Sequence, residues 1–277
     1  MKLYSIHAGY FKLDGGAMFG VVPKKMWQKL VPADENNLCT WAMRCLLVDT
    51  GERKILIDCG MGNKQDEKFM GHYEPHGPTL ERSLASHGFQ PEDITDLFLT
   101  HLHFDHCGGA VKRTEDGQLI PAFPHAKVWS NHQHWDWAIH PNDREKASFL
   151  KENLLPLEEH GVLHFLDEGQ SLCPEVDTIW VNGHTEAMML PVIHTGNKTI
   201  VYMADLLPAA AHIPLPYIMG YDIRPLMTLE EKKDFLQMAL DNNYYLFFEH
   251  DAVNECCNLR MTDKGIRPQE FFPLSAL

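Results

Sequence analysis

The segment Leu97–Gly109 places four potential metal ligands directly behind an apolar strand, and it constrains the fold more than any other feature of the chain. The ligand-type residues that follow the strand are His101, His103, Asp105 and His106. In an extended backbone, residues i and i+2 project to the same side, so His101 and His103 can converge on one ion. Gly108 and Gly109 permit a tight backbone path behind them. The segment therefore predicts a metal site at the carboxyl end of a buried strand.

Composition and charge exclude several classes of protein. The chain has 277 residues, of which 44% are hydrophobic and 22% are charged, and this balance is ordinary for a globular protein. Its longest apolar runs are far too short to cross a bilayer, so no membrane association is expected. The formal net charge of −14 repels phosphate backbones, and no dense basic patch offsets it. Nucleic acid is therefore not expected as a partner.

The cysteines indicate a reducing compartment. All seven are scattered along the chain without a C-x-x-C spacing, which is typical of free thiols. The first residues, Met1–His7, have no apolar signal core followed by a cleavage site. These two features predict a cytoplasmic protein.

Strand patterns and helix patterns are mixed throughout the chain, which indicates the α/β class. The predicted strands are Trp41–Val48, Lys54–Ile57, Ile94–Leu99, Ala126–Trp129, Val162–Phe165, Thr178–Val181, Thr199–Met203 and Tyr244–Phe248. One helix is predicted from Pro78 to a stop at Gly88, a second within Asp143–His160, and a third behind a capping box that begins at Thr228. No repeat or flexible linker divides the chain, so a single domain over residues 1–277 is expected.

Two stretches, Gly15–Asn37 and Leu206–Pro225, have no regular pattern and combine apolar residues with glycine or proline. Long irregular loops in a compact domain are often lids or binding loops. They can equally be surface loops that a few apolar side chains anchor, and the sequence leaves both interpretations open.

Three more ligand-type residues follow strands further along the chain, namely His184, Asp205 and His250. With these, the run His101-x-His103-x-Asp105-His106 resembles the HxHxDH pattern of the metallo-β-lactamase superfamily, and the match extends over positions 41–250. The resemblance implies the four-layer αββα sandwich, the metallo-β-lactamase fold, in which two sheets are faced by helices. All seven residues would then meet at one edge of the sandwich.

The same resemblance implies two divalent metal ions. One ion would be held by His101, His103 and His184, the other by Asp105, His106 and His250, and Asp205 would bridge them. Imidazole and carboxylate ligands without thiolate suit zinc, the first choice, although manganese, iron or cobalt can occupy such a set. The flavodiiron branch of the superfamily typically has glutamate where this chain has His103, so the histidine favours hydrolysis. Cys107 is interpreted as a small buried residue rather than a ligand.

Within the superfamily the chain most resembles the N-acyl homoserine lactonases and methyl parathion hydrolases. The segments that carry this resemblance are His101–Gly109, Asp14–Gly20 and Ala204–Pro208. In such enzymes an amino-terminal loop forms an apolar wall of the site, a role that Met18, Phe19 and Trp27 would fill here. Lactonases of this group place a tyrosine where this chain has Pro208, which weakens the inference of lactone specificity. The candidates for the missing hydrogen-bond donor are His212, Tyr217 and Tyr221.

The implied reaction is hydrolysis of a lactone or another neutral ester by a hydroxide that bridges the two metals. A homoserine lactone is the first choice of substrate, with aryl esters and phosphotriesters as further choices, and Asp105 would carry the proton to the leaving alkoxide. The alternatives are an iron-dependent, persulfide dioxygenase-like enzyme, a glyoxalase II-like thioester hydrolase, and a binding protein without activity. The oligomeric state is left open, with a homodimer among the alternatives.

Histidine is frequent in this chain, at 17 residues, and several pairs outside the pattern have ligand-compatible spacing. These pairs are His72 with His76, His132 with His134, and His160 with His164. None has a supporting carboxylate in pattern, so all of them are predicted to be exposed loop or helix residues.

Overall fold

Fourteen strands and eight α-helices make up the computed structural model, which describes residues 1–277. The strands are β1 (Lys2–Asp14), β2 (Leu38–Asp49), β3 (Lys54–Ile57), β4 (Asp96–Phe98), β5 (Val111–Arg113), β6 (Leu119–Pro121), β7 (Lys127–Ser130), β8 (Leu163–Phe165), β9 (Val176–Val181), β10 (Met188–Thr195), β11 (Lys198–Tyr202), β12 (Tyr245–Phe247), β13 (Cys256–Thr262) and β14 (Gly265–Phe272). The helices are α1 (Gly15–Phe19), α2 (Lys24–Trp27), α3 (Glu67–Tyr73), α4 (Leu80–Ser86), α5 (Phe104–Cys107), α6 (His132–Ile139), α7 (Lys151–Glu159) and α8 (Pro225–Asp241).

The chain divides into two compact units. Unit 1 contains residues Met1–Gly9 and Met43–Leu172, and unit 2 contains residues Tyr10–Ala42 and Cys173–Leu277. The strands form one six-stranded sheet in the order β1-β2-β3-β4-β7-β8, a second in the order β14-β13-β12-β11-β10-β9, and a two-stranded sheet of β5 and β6. Two large sheets with helices are the content that the predicted four-layer fold requires. The prediction of a single domain stays a prediction.

In unit 1 the strands β3, β4 and β7 are parallel neighbours. Apolar side chains such as Leu56, Leu97 and Val128 lie in the buried core of this unit. Because the carboxyl ends of parallel strands meet at one edge of a sheet, the residues that follow them also meet there. Asp58 follows β3, and the histidine-rich segment follows β4.

In unit 2 the strands β11 and β12 are parallel, while β10 is antiparallel to both β9 and β11. The strand β9 therefore runs in the same direction as β11 and β12. His184, Asp205 and His250 lie shortly after β9, β11 and β12, so they approach the same edge of the second sheet. This is the strand-end placement that the sequence predicts.

All eight predicted strands are present within a few residues of their predicted bounds, but the capping box at Thr228 is wrong. Helix α8 begins at Pro225, with Arg224 as its N-cap, so Thr228 lies inside the first turns. The Glu231 carboxylate accepts hydrogen bonds from outside the helix instead of completing a capping box.

The stretch Gly15–Asn37, which has no regular sequence pattern, contains the short helices α1 and α2. None of the helices combines the length and the apolar character that a membrane-spanning segment needs.

Candidate metal centre

The segment after β4 brings the four ligand-type residues of unit 1 together. His101 Nε2 and His103 Nδ1 lie 3.1 Å apart, so two nitrogen atoms with one lone pair each in the neutral rings converge on one point. Asp105 and His106 follow on helix α5, with the Oδ2 of Asp105 3.7 Å from the Nε2 of His106. All four side chains are buried. A divalent cation satisfies such converging donors better than a shared proton does.

Asp58, which no sequence pattern singles out, holds the other face of this cluster. Its carboxylate accepts hydrogen bonds from the Thr100 N–H at 2.8 Å and from the Thr100 hydroxyl at 2.7 Å, and it lies 3.0 Å from His106 Nδ1. The Thr100 hydroxyl also lies 3.1 Å from His101 Nδ1. When a histidine donates its second ring N–H in this way, its first nitrogen is free for a metal. The signal available in the sequence is the acidic residue directly after the apolar strand β3.

The second nitrogen of His103 faces a carboxylate from a different segment. His103 Nε2 lies 3.6 Å from Glu145 Oε1, and the other oxygen of Glu145 accepts hydrogen bonds from Trp137 Nε1 at 2.8 Å and Asn142 Nδ2 at 2.6 Å. The Phe149 ring packs against the His103 imidazole with centroids 4.8 Å apart. Each of the three histidines thus has a polar neighbour at the nitrogen that faces away from the ligand position.

His134 is buried, so the prediction that it is exposed is wrong. The Leu102 N–H, which lies between two ligand histidines, donates a 2.8 Å hydrogen bond to His134 Nε2. Asn131 caps helix α6 by accepting from the His134 N–H, and this places the imidazole toward the ligand segment. His132, at the start of the same helix, is exposed as predicted.

Gly108 and Gly109 are required by close contact between backbones. A Cβ atom on Gly108 would lie 2.2 Å from the Met61 carbonyl oxygen, and one on Gly109 would lie 2.2 Å from the Cys59 carbonyl oxygen. The Cys59 N–H donates to the His106 carbonyl at 2.9 Å. The loop after β3 therefore packs directly against the backbone of the ligand helix.

Gly108→Ala is expected to destabilise the protein by about 2 kcal/mol or more, because no flexible side chain can move away from the new methyl group. Thermal unfolding should show a midpoint lowered by roughly 4–8 °C for a chain of this size. Gly71→Ala in helix α3 is the matched control, since its Cβ would meet no atom within 4 Å. Equal midpoints for the two variants would contradict the close-packing argument.

In unit 2 the Asp205 carboxylate faces two imidazoles, with one oxygen toward each. Its Oδ2 lies 3.1 Å from His184 Nε2, and its Oδ1 lies 3.1 Å from His250 Nε2. The remaining ring nitrogens are held by other acceptors: His184 Nδ1 lies 2.8 Å from Asp222 Oδ1, and His250 Nδ1 donates to the Ala42 carbonyl at 2.7 Å. A carboxylate whose two oxygens face different imidazoles has the geometry of a bridging ligand.

The backbone of Pro208 contacts one of the predicted ligands. The His250 N–H donates to the Pro208 carbonyl at 3.0 Å.

Cys107 is buried, its thiol donates to the Leu102 carbonyl at 3.3 Å, and burial raises its pKa to about 12. This thiol stays protonated at neutral pH, which agrees with its interpretation as a buried residue that is not a ligand.

Zinc uptake is expected to release a proton from His184. Burial lowers the pKa of this imidazole, but the carboxylates of Asp205 and Asp222 outweigh burial and raise the pKa to about 10. Below that pH the proton must leave before a metal can bind, so affinity should rise by up to about tenfold per pH unit. Competition with a chromophoric chelator between about pH 6 and pH 8 measures this slope. A zinc affinity that does not change with pH would contradict the assignment of His184 as a metal ligand. Asp222→Asn should make the dependence of zinc affinity on pH shallower.

Five of the six predicted substrate-contacting residues form one packed cluster in unit 2. The Phe19 ring stacks on Trp27, with centroids 5.2 Å apart, and on His212, with centroids 4.7 Å apart. Tyr217 meets the same ring edge-on at 6.1 Å, and His212 Nε2 donates to the Met18 carbonyl at 2.9 Å. Burial lowers the pKa of His212 to about 4, so this donor is neutral. The two irregular stretches, Gly15–Asn37 and Leu206–Pro225, therefore pack against each other.

Tyr221, the sixth of these residues, is 40% exposed. Contact of any of the six with a substrate stays a prediction.

Buried imidazoles and carboxylates at strand ends of this α/β fold are the kind of site that a metal-dependent hydrolase uses. The donor set fits a divalent metal such as zinc, because each ring has one nitrogen that faces a polar neighbour and the other directed at further candidate ligands. The family model for the metallo-beta-lactamase superfamily matches residues 44–250. The chain belongs to this superfamily, as its sequence predicts.

The chain is related to N-acyl homoserine lactonases. It is 24% identical over 268 residues to the N-acyl homoserine lactonase of Bacillus thuringiensis, a match that covers 92% of this chain and 94% of the relative. A probable metal-dependent hydrolase from Staphylococcus aureus has a similar structure, with a TM-score of 0.90, 26% identity and coverage of 100% and 98%. The dizinc quorum-quenching lactonase AidC, solved with a product, N-hexanoyl-L-homoserine, has a TM-score of 0.80, 23% identity and coverage of 98% and 95%.

Proposed function

We propose that this protein is a dinuclear zinc hydrolase of lactones or other neutral esters. The observation that supports it best is the Asp205 carboxylate, whose two oxygens lie 3.1 Å from two different imidazoles. One zinc ion would be bound by His101, His103 and His184, and the other by Asp105, His106 and His250, with Asp205 shared. Both units would then act as one hydrolase domain over residues 1–277.

An N-acyl homoserine lactone is the first choice of substrate in this proposal, since curated relatives over nearly the whole chain are lactonases of that type. The net charge of −14 favours a neutral substrate over a dianion, and it also disfavours nucleic acid. The seven cysteines are all free thiols, which supports a location in the cytoplasm. A homodimer stays a prediction.

Divalent metals held by these residues would supply a water molecule activated for attack and a Lewis acid for the substrate carbonyl oxygen. The chain's own contribution begins with Asp105. This carboxylate is largely buried, and one of its oxygens faces His106. We assign to it the proton that must reach the leaving alkoxide, because an alkoxide departs far more easily when it is protonated. The buried stack around Phe19 keeps two loops of unit 2 ordered next to the ligand residues.

Metal analysis followed by a hydrolysis panel tests the proposal. Protein saturated with zinc is expected to hold two equivalents and to hydrolyse homoserine lactones faster than aryl esters and phosphotriesters. One equivalent or fewer would contradict the bridging role of Asp205. Purification with bound iron, visible as colour, together with oxygen consumption on a persulfide would support the dioxygenase-like alternative. Hydrolysis of a glutathione thioester alone would support the glyoxalase II-like alternative.

A further inference from the structure

Helix α8 carries five consecutive charged residues, Glu230–Asp234, that face in different directions. Glu230 and Lys233 are exposed, whereas Lys232 is fully buried and Glu231 is partly buried. A lysine is almost never fully buried unless its ammonium group has partners. Burial lowers the pKa of Lys232 to about 7, which indicates how unfavourable this environment is for a charge. Glu231 and Lys232, the inward pair, are charged residues on the buried side of an amphipathic helix, so their burial needs another explanation.

Glu231 holds the turn that carries His184. Its Oε1 accepts the Asn182 N–H at 2.6 Å, and its Oε2 accepts the Gly183 N–H at 2.9 Å. Gly183 lies so close to the helix that a Cβ atom would be 2.3 Å from the Thr228 hydroxyl oxygen. The two backbone N–H groups immediately before the ligand are thus fixed to one carboxylate.

Lys232 holds the loop that follows Asp205. Its ammonium group donates three hydrogen bonds, to the carbonyl oxygens of His212 at 2.9 Å, Pro214 at 3.1 Å and Tyr217 at 2.8 Å. An ammonium group has three protons and no lone pair, so all of its donors are satisfied. Replacing it with an apolar side chain would leave three carbonyl groups without this partner.

The loop that Lys232 holds is also tied to His250. The Pro208 carbonyl accepts the His250 N–H at 3.0 Å, and the Ala210 N–H donates to Asp251 Oδ2 at 3.0 Å. Asp205 lies at the start of this loop, and Lys232 binds its later part. Glu231 thus holds the backbone immediately before His184. Lys232 holds the later part of the loop that begins at Asp205 and that accepts the His250 N–H through Pro208.

We propose that Glu231 and Lys232 are positioning residues that set the metal affinity of His184, Asp205 and His250. This inference rests on the proposed function only for the claim that these three residues bind a metal. Neither side chain touches a ligand side chain in the contacts described above. They act through backbone hydrogen bonds that fix where the ligands stand.

The test compares Glu231→Gln and Lys232→Met with the matched outward variants Glu230→Gln and Lys233→Met. Zinc affinity is measured by competition with a chelator, and the visible spectrum of cobalt-substituted protein reports the ligand geometry. The inward variants are expected to bind zinc about 10–100-fold more weakly, the loss typical of residues that support ligands, and to change the cobalt spectrum. The outward variants should match the wild type in both measurements.

Lower thermal stability with wild-type zinc affinity and cobalt spectrum in the inward variants would overturn the proposal and leave only a structural role. Glu231→Gln keeps the length of the side chain and one carbonyl oxygen, so it carries the test if Lys232→Met does not fold. A wild-type protein that binds zinc but hydrolyses no ester would overturn the proposed function alone. A wild type that binds no divalent metal would overturn both proposals.

Discussion

Asp205→Asn is expected to lower kcat/KM by about 10³-fold or more. Asparagine has nearly the same shape, but its neutral amide has one oxygen instead of two and cannot bridge two cations. Metal ions contribute several kcal/mol to the stabilisation of a hydrolytic transition state, and each 1.36 kcal/mol corresponds to tenfold in rate. The metal content of the variant should fall from two equivalents toward one. Steady-state kinetics on the best substrate, together with elemental analysis, measures both effects.

Asp234→Asn is the control for this variant. Asp234 is exposed on helix α8, and its substitution by asparagine removes the same charge. It should keep full activity and both metals. An Asp205→Asn protein with two tightly held zinc ions and normal turnover would rule out the bridging role.

Asp105→Asn is expected to reduce kcat by on the order of 10²-fold while the metal content changes little. The amide can still offer one oxygen toward the metal, but it cannot take up and release a proton at neutral pH. The loss of a positioned proton carrier typically costs 10²–10⁴ in rate. The effect should be smaller for esters with good leaving groups, such as p-nitrophenyl esters, because p-nitrophenolate leaves without protonation.

This dependence on the leaving group separates proton transfer from metal binding. Asp143→Asn, at a fully exposed position in the same unit, is the control and should leave the kinetics unchanged. Equal losses for good and poor leaving groups would assign Asp105 a ligand role only. Full activity with both metals retained would eliminate the assignment altogether.

The fold could be predicted, and the candidate ligands could be located at strand ends, because both depend on local patterns. Short apolar strands are visible in the sequence, and parallel strands place whatever follows them at a common edge. The pattern of the superfamily is then recognisable from the histidine spacing after Leu99 and from one ligand-type residue after each of three later strands. The start of helix α8 was mispredicted since Pro225 can begin a helix as well as Thr228 can, and the sequence does not say where Glu231 points.

The residues that hold the ligands could not be predicted, because their partners are distant in the chain. Asp58 is 48 positions from His106, and Asp222 is 38 positions from His184. Nothing in the sequence pairs one carboxylate with one imidazole across such a distance. The buried state of His134 was missed for the same reason, since its acceptor role depends on Leu102 lying next to helix α6.

Unit 2 consists of two segments, Tyr10–Ala42 and Cys173–Leu277, that are far apart in the chain, and this separation has a consequence for biosynthesis. Residues Tyr10–Ala42 leave the ribosome before their partners, since the hydrogen bond from His212 to Met18 spans 194 positions and that from His250 to Ala42 spans 208. Contacts of such separation close late in folding, because long loops must be ordered first. The aromatic side chains of the early segment therefore stay exposed while the middle of the chain is made. Slow translation or truncation before His250 should make the nascent chain dependent on chaperones.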